Sequence, residues 1–497
     1  MGYLSMKKAA IDPSLYPALF ELKQASAYWK YYSLADLAHV QLLKKSRLIS
    51  APIATKLKAA LLKLHAQPTT PADLRPEIGD LYKNREDLLK KEIPEDYGWI
   101  STSRSRREVN TIAYHLLMRD QLTEVMQDLR KLILCLAKVS QQHSKTYLSD
   151  YTYLQKAQPT SFGHYLLGFA YPLGRDLERL GRSFRNFNSC PGAIGSTNGS
   201  TFPLDRNYLS KLLGFQEPME HTRDSMWPYD LSLECMSTFV SISVTISRLC
   251  SDFHVWCSEE FSYISLGEKY SRKSVIMPQK NNPYAISYLR GISAKMIGQF
   301  QSVVVAQLTP TAQIDNRLLA YDHLPEVATE ISKNLKLLTD VVKTMKIHKE
   351  SMLLNLNSSQ AWATDLVDAL MQSEGINHQT AYHWVQKAME AKNSGPSPKM
   401  NFSAFYKQIQ KISQAHAHRA LRLGLSEIKN LMDPKKSVQA RNSLGGANPE
   451  SVRKMSQKFI LEIQKNEKIF QSSEVRIQRQ LATLLPRLAK FKRETPK

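Results

Sequence analysis

Cysteine is scarce in this chain: five residues (Cys135, Cys190, Cys235, Cys250 and Cys257) among 497, with no Cys-x-x-Cys pair. An odd, scattered set argues against a disulfide framework and for free thiols in a reducing cytosol, most of them small buried apolar groups. No His/Cys cluster has zinc spacing, so neither a metal nor a cofactor is expected. No apolar run approaches the ~20 residues of a membrane helix; the run at 132–137 is among the greasiest and is far shorter. Lys7 and Lys8 have no apolar stretch behind them, so no secretory signal is expected. Met6 stands where a myristoylation signal prefers Ser or Thr. A cytoplasmic protein without a membrane anchor is expected. Strand-like alternation is also scarce, and no Gly-x-Gly-x-x-Gly follows a strand, which argues against a nucleotide-binding sheet.

What the chain does have is helical periodicity and positive charge. In the stretch 112–137, Leu122, Val125, Met126, Leu129, Ile133 and Leu136 recur at three and four; Val327, Ile331, Leu335, Leu338, Val342 and Met345 do the same. The stretch 231–256 is nearly apolar throughout, as suits a helix inside a bundle. Pro, Gly and Ser cluster at 67–76, 189–203, 392–398 and 443–449, where turns are expected. With 42% apolar and 23% charged residues the composition is that of a globular chain. The net charge of +22 favours anionic partners, whether nucleic acid, an acidic membrane face or a polycarboxylate substrate, or else it is a solvated basic surface. It is densest after about residue 453, but no helix-turn-helix, zinc or RNA-recognition pattern accompanies it, which argues against nucleic acid.

The most informative segment is Ser274-Val275-Ile276-Met277-Pro278-Gln279-Lys280-Asn281-Asn282-Pro283. It places a hydroxyl, an ammonium and an amide within ten residues, on a loop fixed by two prolines, Pro278 and Pro283. The run resembles the Gly-Ser-Ser-x-Met-Pro-x-Lys-x-Asn-Pro loop of the fumarase/aspartase superfamily, and within it of the argininosuccinate lyase family. Other segments carry the same likeness. Asp80-Leu81-Tyr82-Lys83-Asn84 resembles Asp-Ile-His-x-Asn, and Ser103-Arg104-Ser105-Arg106 resembles Gly-Arg-Ser-Arg. Residues 151–164 resemble Tyr-Thr-His-Leu-Gln-x-Ala-Gln-Pro-x-x-Phe-Gly-His. Thr201-Phe202-Pro203-Leu204-Asp205-Arg206 is similar to Thr-Phe-Pro-Ile-Asp-Arg. The segments 363–368 and 440–446 resemble this family in particular. The likeness spans roughly residues 30–460.

The resemblance implies an all-α, fumarase/aspartase-like fold: a small N-terminal helical domain (1–108), a central bundle of long helices carrying the loop (109–355) and a C-terminal helical domain (356–465), followed here by a basic extension (466–497). It implies a homotetramer with active sites built from three subunits. It also implies β-elimination of an amine from an N-substituted aspartate, argininosuccinate or a related compound, with release of fumarate. Arginine biosynthesis is the default role if the substrate is argininosuccinate. Ser274 is then the base, with Lys280 as the cation that makes its hydroxyl basic. Ser105, Arg106, Thr152, Gln279 and Asn282 fall to the substrate carboxylates.

The departures are as specific as the matches. The family histidine before Leu-Gln is Tyr153 here, and its glutamate partner is Ser287. A phenol is both donor and acid, and its pKa near ~10 suits a leaving amine of similar basicity, so Tyr153 is the candidate acid. The family asparagine after Ser-Arg is Arg107, the glycine before the catalytic serine is Lys273 and the second serine is Val275. Asp315-Asn316-Arg317-Leu318-Leu319-Ala320-Tyr321-Asp322-His323 lacks the tyrosine, glutamine and lysine with which family members hold the arginine half. Two readings stay open from sequence: a lyase with an altered acid and leaving-group pocket, or a family-shaped protein turned to a structural, regulatory or different biosynthetic role.

Overall fold

The computed structural model describes residues 12–67, 70–309, 317–390 and 402–485. The expected turn at 392–398, the pair Asp315-Asn316 and the basic residues from Arg487 onward lie outside them. Helices carry the fold. The backbone is organised by α4 (Arg106–Gln142), whose first turn is capped by Ser105: its Oγ accepts the Glu108 amide at 3.3 Å. The periodic residues Leu122, Val125, Met126, Leu129, Ile133 and Leu136 are all buried, so the spacing marks a core-facing stripe. At ~1.5 Å per residue this helix is about 55 Å long.

Of three earlier helices, α1 (Ala25–Lys45) and α3 (Leu81–Glu92) lie against α4, and α2 (Ala51–Ala66) packs on both of them. They share one hydrophobic core with the long helices. Buried Asp36 on α1 ties them together, receiving Arg85 of α3 at 2.9 Å and Arg104 at 2.9 Å. A carboxylate with two guanidinium partners satisfies the charge that burial would otherwise penalise.

Past α4 the chain makes a hairpin, β1 (Tyr147–Thr152) and β2 (Gln155–Ser161), paired antiparallel with Thr152 opposite Gln155. It then returns along α4 as α5 (Phe162–Phe187). Gly163 sits where the two helices are closest; its amide donates to His143 O at 3.1 Å. A Cβ there would collide with the Ser140 carbonyl oxygen and press on the Ser144 backbone. Next come α6 (Tyr229–Trp256), α7 (Tyr284–Ala306) and α8 (Arg317–Thr344). Val327, Ile331, Leu335, Leu338, Val342 and Met345 face the same core. By length and composition α6 is apolar enough to cross a membrane, but half of that window is buried within this chain, as in the core helix of a bundle.

The short α9 (Lys349–Asn357) leads to a second, separate core built by α10 (Ala363–Glu374), α11 (His378–Glu390), α12 (Phe402–Ala417) and α13 (Leu425–Leu431) around Trp362, Trp384 and Phe405. After α14 (Pro434–Ala440) the final helix, α15 (Pro449–Leu484), goes back to the bundle. Phe459 stacks on Tyr171 at 4.8 Å, and Val452, Ile463, Ile477 and Leu481 enter the first core. This helix runs unbroken through residues 465 and 466. Cys135, Cys190, Cys235 and Cys250 are buried free thiols and Cys257 is half-buried.

Because the α4–α5 approach leaves no space for a methyl group, Gly163→Ala is expected to lower unfolding stability by about 1–3 kcal/mol. Chemical denaturation of the purified protein measures this, and an unchanged midpoint would mean that the helices separate easily.

Candidate active site

The loop after α6 is itself a small hairpin. Two-residue strands β3 (Arg272–Lys273) and β4 (Asn281–Asn282) pair antiparallel, and the Ser274 amide donates to Lys280 O at 2.9 Å to close the neck. Pro278 and Gln279 form the turn, and the Lys280 amide donates to Met277 O at 3.0 Å. The half-buried Ser274 has its Oγ turned inward, where it accepts the Met277 amide at 3.1 Å. A serine oxygen that already receives a backbone N–H has its anionic form stabilised. The Gln279 and Lys280 side chains are exposed. Asn282 spends one amide proton on Arg272 O at 3.1 Å, so part of its hydrogen-bonding capacity holds the loop. Arg272 lies over the Tyr284 ring at 4.0 Å, which accounts for one of the two cations preceding Ser274. Val275 and Ile276 are exposed at the tip.

A second cluster forms at the N-terminus of α4. Arg106 pairs with buried Asp80 at 2.9 Å, and Asp80 also caps α3 by accepting the Lys83 amide at 2.9 Å. Ser105 caps α4 beside it. One turn further, Glu108 is buried and accepts the Ala193 amide at 2.6 Å, fastening the 191–203 loop to this end of the helix. Burial pushes its carboxyl from the ordinary 4.5 up to about 7, against the pull of the Ala193 amide and Arg104. The sequence reading passed over Glu108. The signal that reveals it is the Ser-x-x-Glu spacing from Ser105, although here the carboxylate turns to the loop instead of its own cap.

The third cluster is the turn of the first hairpin. Tyr153 and Leu154 are its two central residues, with φ of 53° and 58°. A two-residue turn with both residues left-handed normally uses Asn and Gly. Tyr153 is 99% exposed, and Thr152 beside it is exposed. This turn follows the C-terminus of α4, whereas Ser105 and Arg106 stand at its N-terminus. The length of α4 therefore lies between these two groups within one chain. Ser287 is exposed in the first turn of α7.

Two further features border the hairpin and α8. A cleft of about 1100 Å³ opens between the hairpin base and the second core, lined among others by Thr160, His164, Asp365, Asp368, Arg441 and Gly446. It unites residues from three motif segments, with Arg441 paired to Asp365 at 2.9 Å. On α8, Asp322, His323 and Glu326 come close enough to share a metal ion. Lys23 already stands 3.7 Å from Asp322 and 3.4 Å from Glu326, so the acids neutralise an ammonium.

The chain is similar to known proteins over most of its length. A family model described as "Lyase" matches residues 67–298. An argininosuccinate lyase of Streptococcus agalactiae is 30% identical over 428 residues, covering 85% of this chain and 90% of that protein. One from Streptococcus suis is 31% identical over 428 residues, covering 85% and 89%. One from Methanosarcina barkeri is 27% identical over 436 residues, covering 87% of each. Among solved structures, EDDS lyase in complex with formate superposes with a TM-score of 0.84 at 22% identity, covering 96% of this chain and 95% of that one. The class II fumarase of Schistosoma mansoni gives 0.67 at 16% identity, covering 82% and 90%. These likenesses establish the multi-domain helical fold.

Glu108 supplies a test of the second cluster. Its folded pKa lies above its unfolded one, so the folded state binds the proton more tightly between about pH 4.5 and 7. Stability therefore falls as pH rises through that window, by up to ~3 kcal/mol. Glu108→Gln is expected to flatten this slope, as read from denaturation midpoints at pH 5 and pH 7.

Proposed function

We propose that this chain, which belongs to the argininosuccinate lyase family of carbon–nitrogen lyases, eliminates an amine from an N-substituted aspartate and releases fumarate. The observation that carries the reading is the closed loop at 274–280, in which the Ser274 oxygen already receives a backbone N–H. Ser274 takes the proton from the carbon beside a carboxylate, its oxyanion held by the Met277 amide and the Lys280 ammonium. The electron pair of that C–H bond becomes the C=C bond of fumarate as the C–N bond breaks. Tyr153 gives its proton to the departing nitrogen. A phenol is both a donor and an acid, which allows the transfer without a histidine. Arg106 and Ser105, with Thr152, Gln279 and Asn282, hold the carboxylates of the succinyl half. The substrate is then a small polycarboxylate, and the basic balance of the chain suits it.

A centre using both Arg106 and Tyr153 must draw them from different copies, since α4 separates them in one. The surface of α7 supports such an assembly. Tyr284, Tyr288, Gly291, Lys295, Gly298, Ser302 and Val305 are all exposed and follow one another at alternating steps of four and three. That is the seam of helix-on-helix packing. Among the described residues, nothing outside their own helix turn lies within 4 Å of where a Cβ would stand on Gly291 or Gly298, so these glycines leave space for a neighbour. We read the assembly as a homotetramer in the cytoplasm, with argininosuccinate as the first substrate to try.

The purified assembly is expected to raise ultraviolet absorbance through fumarate when given N-substituted aspartates, argininosuccinate among them. Ser274→Ala should lower kcat by at least ~10²-fold, the contribution of a positioned proton-transfer group. Absence of elimination across the panel would sink the reading in favour of a family-shaped protein with another role. Equal rates for Ser274→Ala and the parent would remove Ser274 as the base.

A further inference from the structure

The turn bearing Tyr153 has no side-chain reason of its own to hold its shape. Neither Tyr153 nor Leu154 is a glycine or asparagine, both are left-handed, and both are largely exposed. Such a conformation persists only when its surroundings dictate it. The two residues that do so pair across the strands just behind the turn, Tyr151 on β1 and Lys156 on β2. Lys156 Nζ donates to Asn355 O at 2.9 Å and to Ser358 Oγ at 3.3 Å. The Tyr151 hydroxyl donates to Asn355 Oδ1 at 3.1 Å and lies 3.0 Å from the Tyr263 hydroxyl. A phenol has one proton. Since Tyr151 gives its own to Asn355, it receives that of Tyr263.

Tyr263 is itself immobile. It is completely buried, its carbonyl accepts the His348 amide at 2.8 Å, and Ile264 pairs with Ile347. From there only eight residues lead to Arg272, where the Ser274 loop begins. The chain Tyr263, Tyr151, Asn355 thus fastens the Tyr153 turn to the rigid segment that delivers the loop. Phe261 packs on both phenol rings, at 5.6 Å from Tyr151 and 5.4 Å from Tyr263.

We propose that Tyr151 is a positioning residue, whose hydroxyl, held between Tyr263 and Asn355, locks the Tyr153 turn in the geometry needed to protonate the leaving group. This rests on the reading of Tyr153 as the acid. Tyr151 does not touch substrate; it acts through the turn two residues away. Burial, the largest influence on each, raises both phenols above the ordinary range, so the pin stays protonated and does not switch with pH near neutrality.

The test is amide hydrogen exchange on the full assembly of the parent, Tyr151→Phe, Tyr263→Phe and the double variant. The amides of 152–155 are expected to exchange about tenfold faster in each single variant, as for one hydrogen bond lost from a local opening equilibrium. The double variant should be no faster than the singles, because the two hydroxyls form one chain, and exchange within α4 should not change. With a turned-over substrate, Tyr151→Phe should lower kcat and leave KM unaltered, a split that general destabilisation does not produce. Asn355→Ala reaches the same pin from the other side should a phenylalanine variant fail to fold. Parent-like exchange at 152–155 in the single variants, or independent addition in the double, overturns the proposal. If no substrate is eliminated by the parent, the fumarate reading fails, while the exchange arm still decides whether the pin exists.

Discussion

The rest of the molecule depends on the uninterrupted length of α4. A rod of 37 residues, packed on one side by the N-terminal helices and on others by α5, α8 and α15, cannot bend its two ends together. Everything proposed for the chemistry follows from that rigidity. The Arg106–Asp80 pair marks one end and the Tyr153 turn the other. In the proposed reading, each end supplies half of a centre that is completed by another copy.

The way the two ends are built also differs. The Arg106 end is held by buried charge: Asp36 with two guanidiniums, Asp80 with one, Glu108 on backbone amides. Such contacts are directional and costly to break singly, so they fix side chains closely. The Tyr153 end is held without an ion pair, by the Tyr151–Tyr263–Asn355 hydroxyl and amide contacts and by the Lys156 ammonium on Asn355 O and Ser358 Oγ, and leaves its tip in water. A charge-tuned imidazole would require a nearby carboxylate at this end, and Ser287 supplies none. A phenol requires only a fixed direction, which such pins are able to give.

Much of this was legible in the sequence, and for identifiable reasons. The core stripes of α4 and α8 could be read because burial and helical repeat share one period, and each predicted position is buried. The loop at 274–280 could be read because its prolines and polar groups lie within ten residues. The cap role of Ser105 was hidden only by the assignment of that residue to substrate. Contacts that span the chain were not legible: nothing near Asp36 announces Arg85 or Arg104, and nothing near Tyr151 announces Tyr263 or Asn355. The hairpin turn was missed because Tyr153-Leu154 lacks the residues that mark such turns; tertiary pins replace local preference there. The course of α15 back to the bundle likewise depends on Phe459 meeting Tyr171, far away in the chain.

The bare seam on α7 has a consequence for how the protein lives in solution. Two glycines against which no described residue packs weaken a helix in isolation and gain their use when another backbone approaches. If a second copy packs on this seam as proposed, folding and association become one equilibrium governed by mass action. Dilution alone would lower the melting temperature, and an isolated copy emerging from synthesis would be a metastable species awaiting its neighbours.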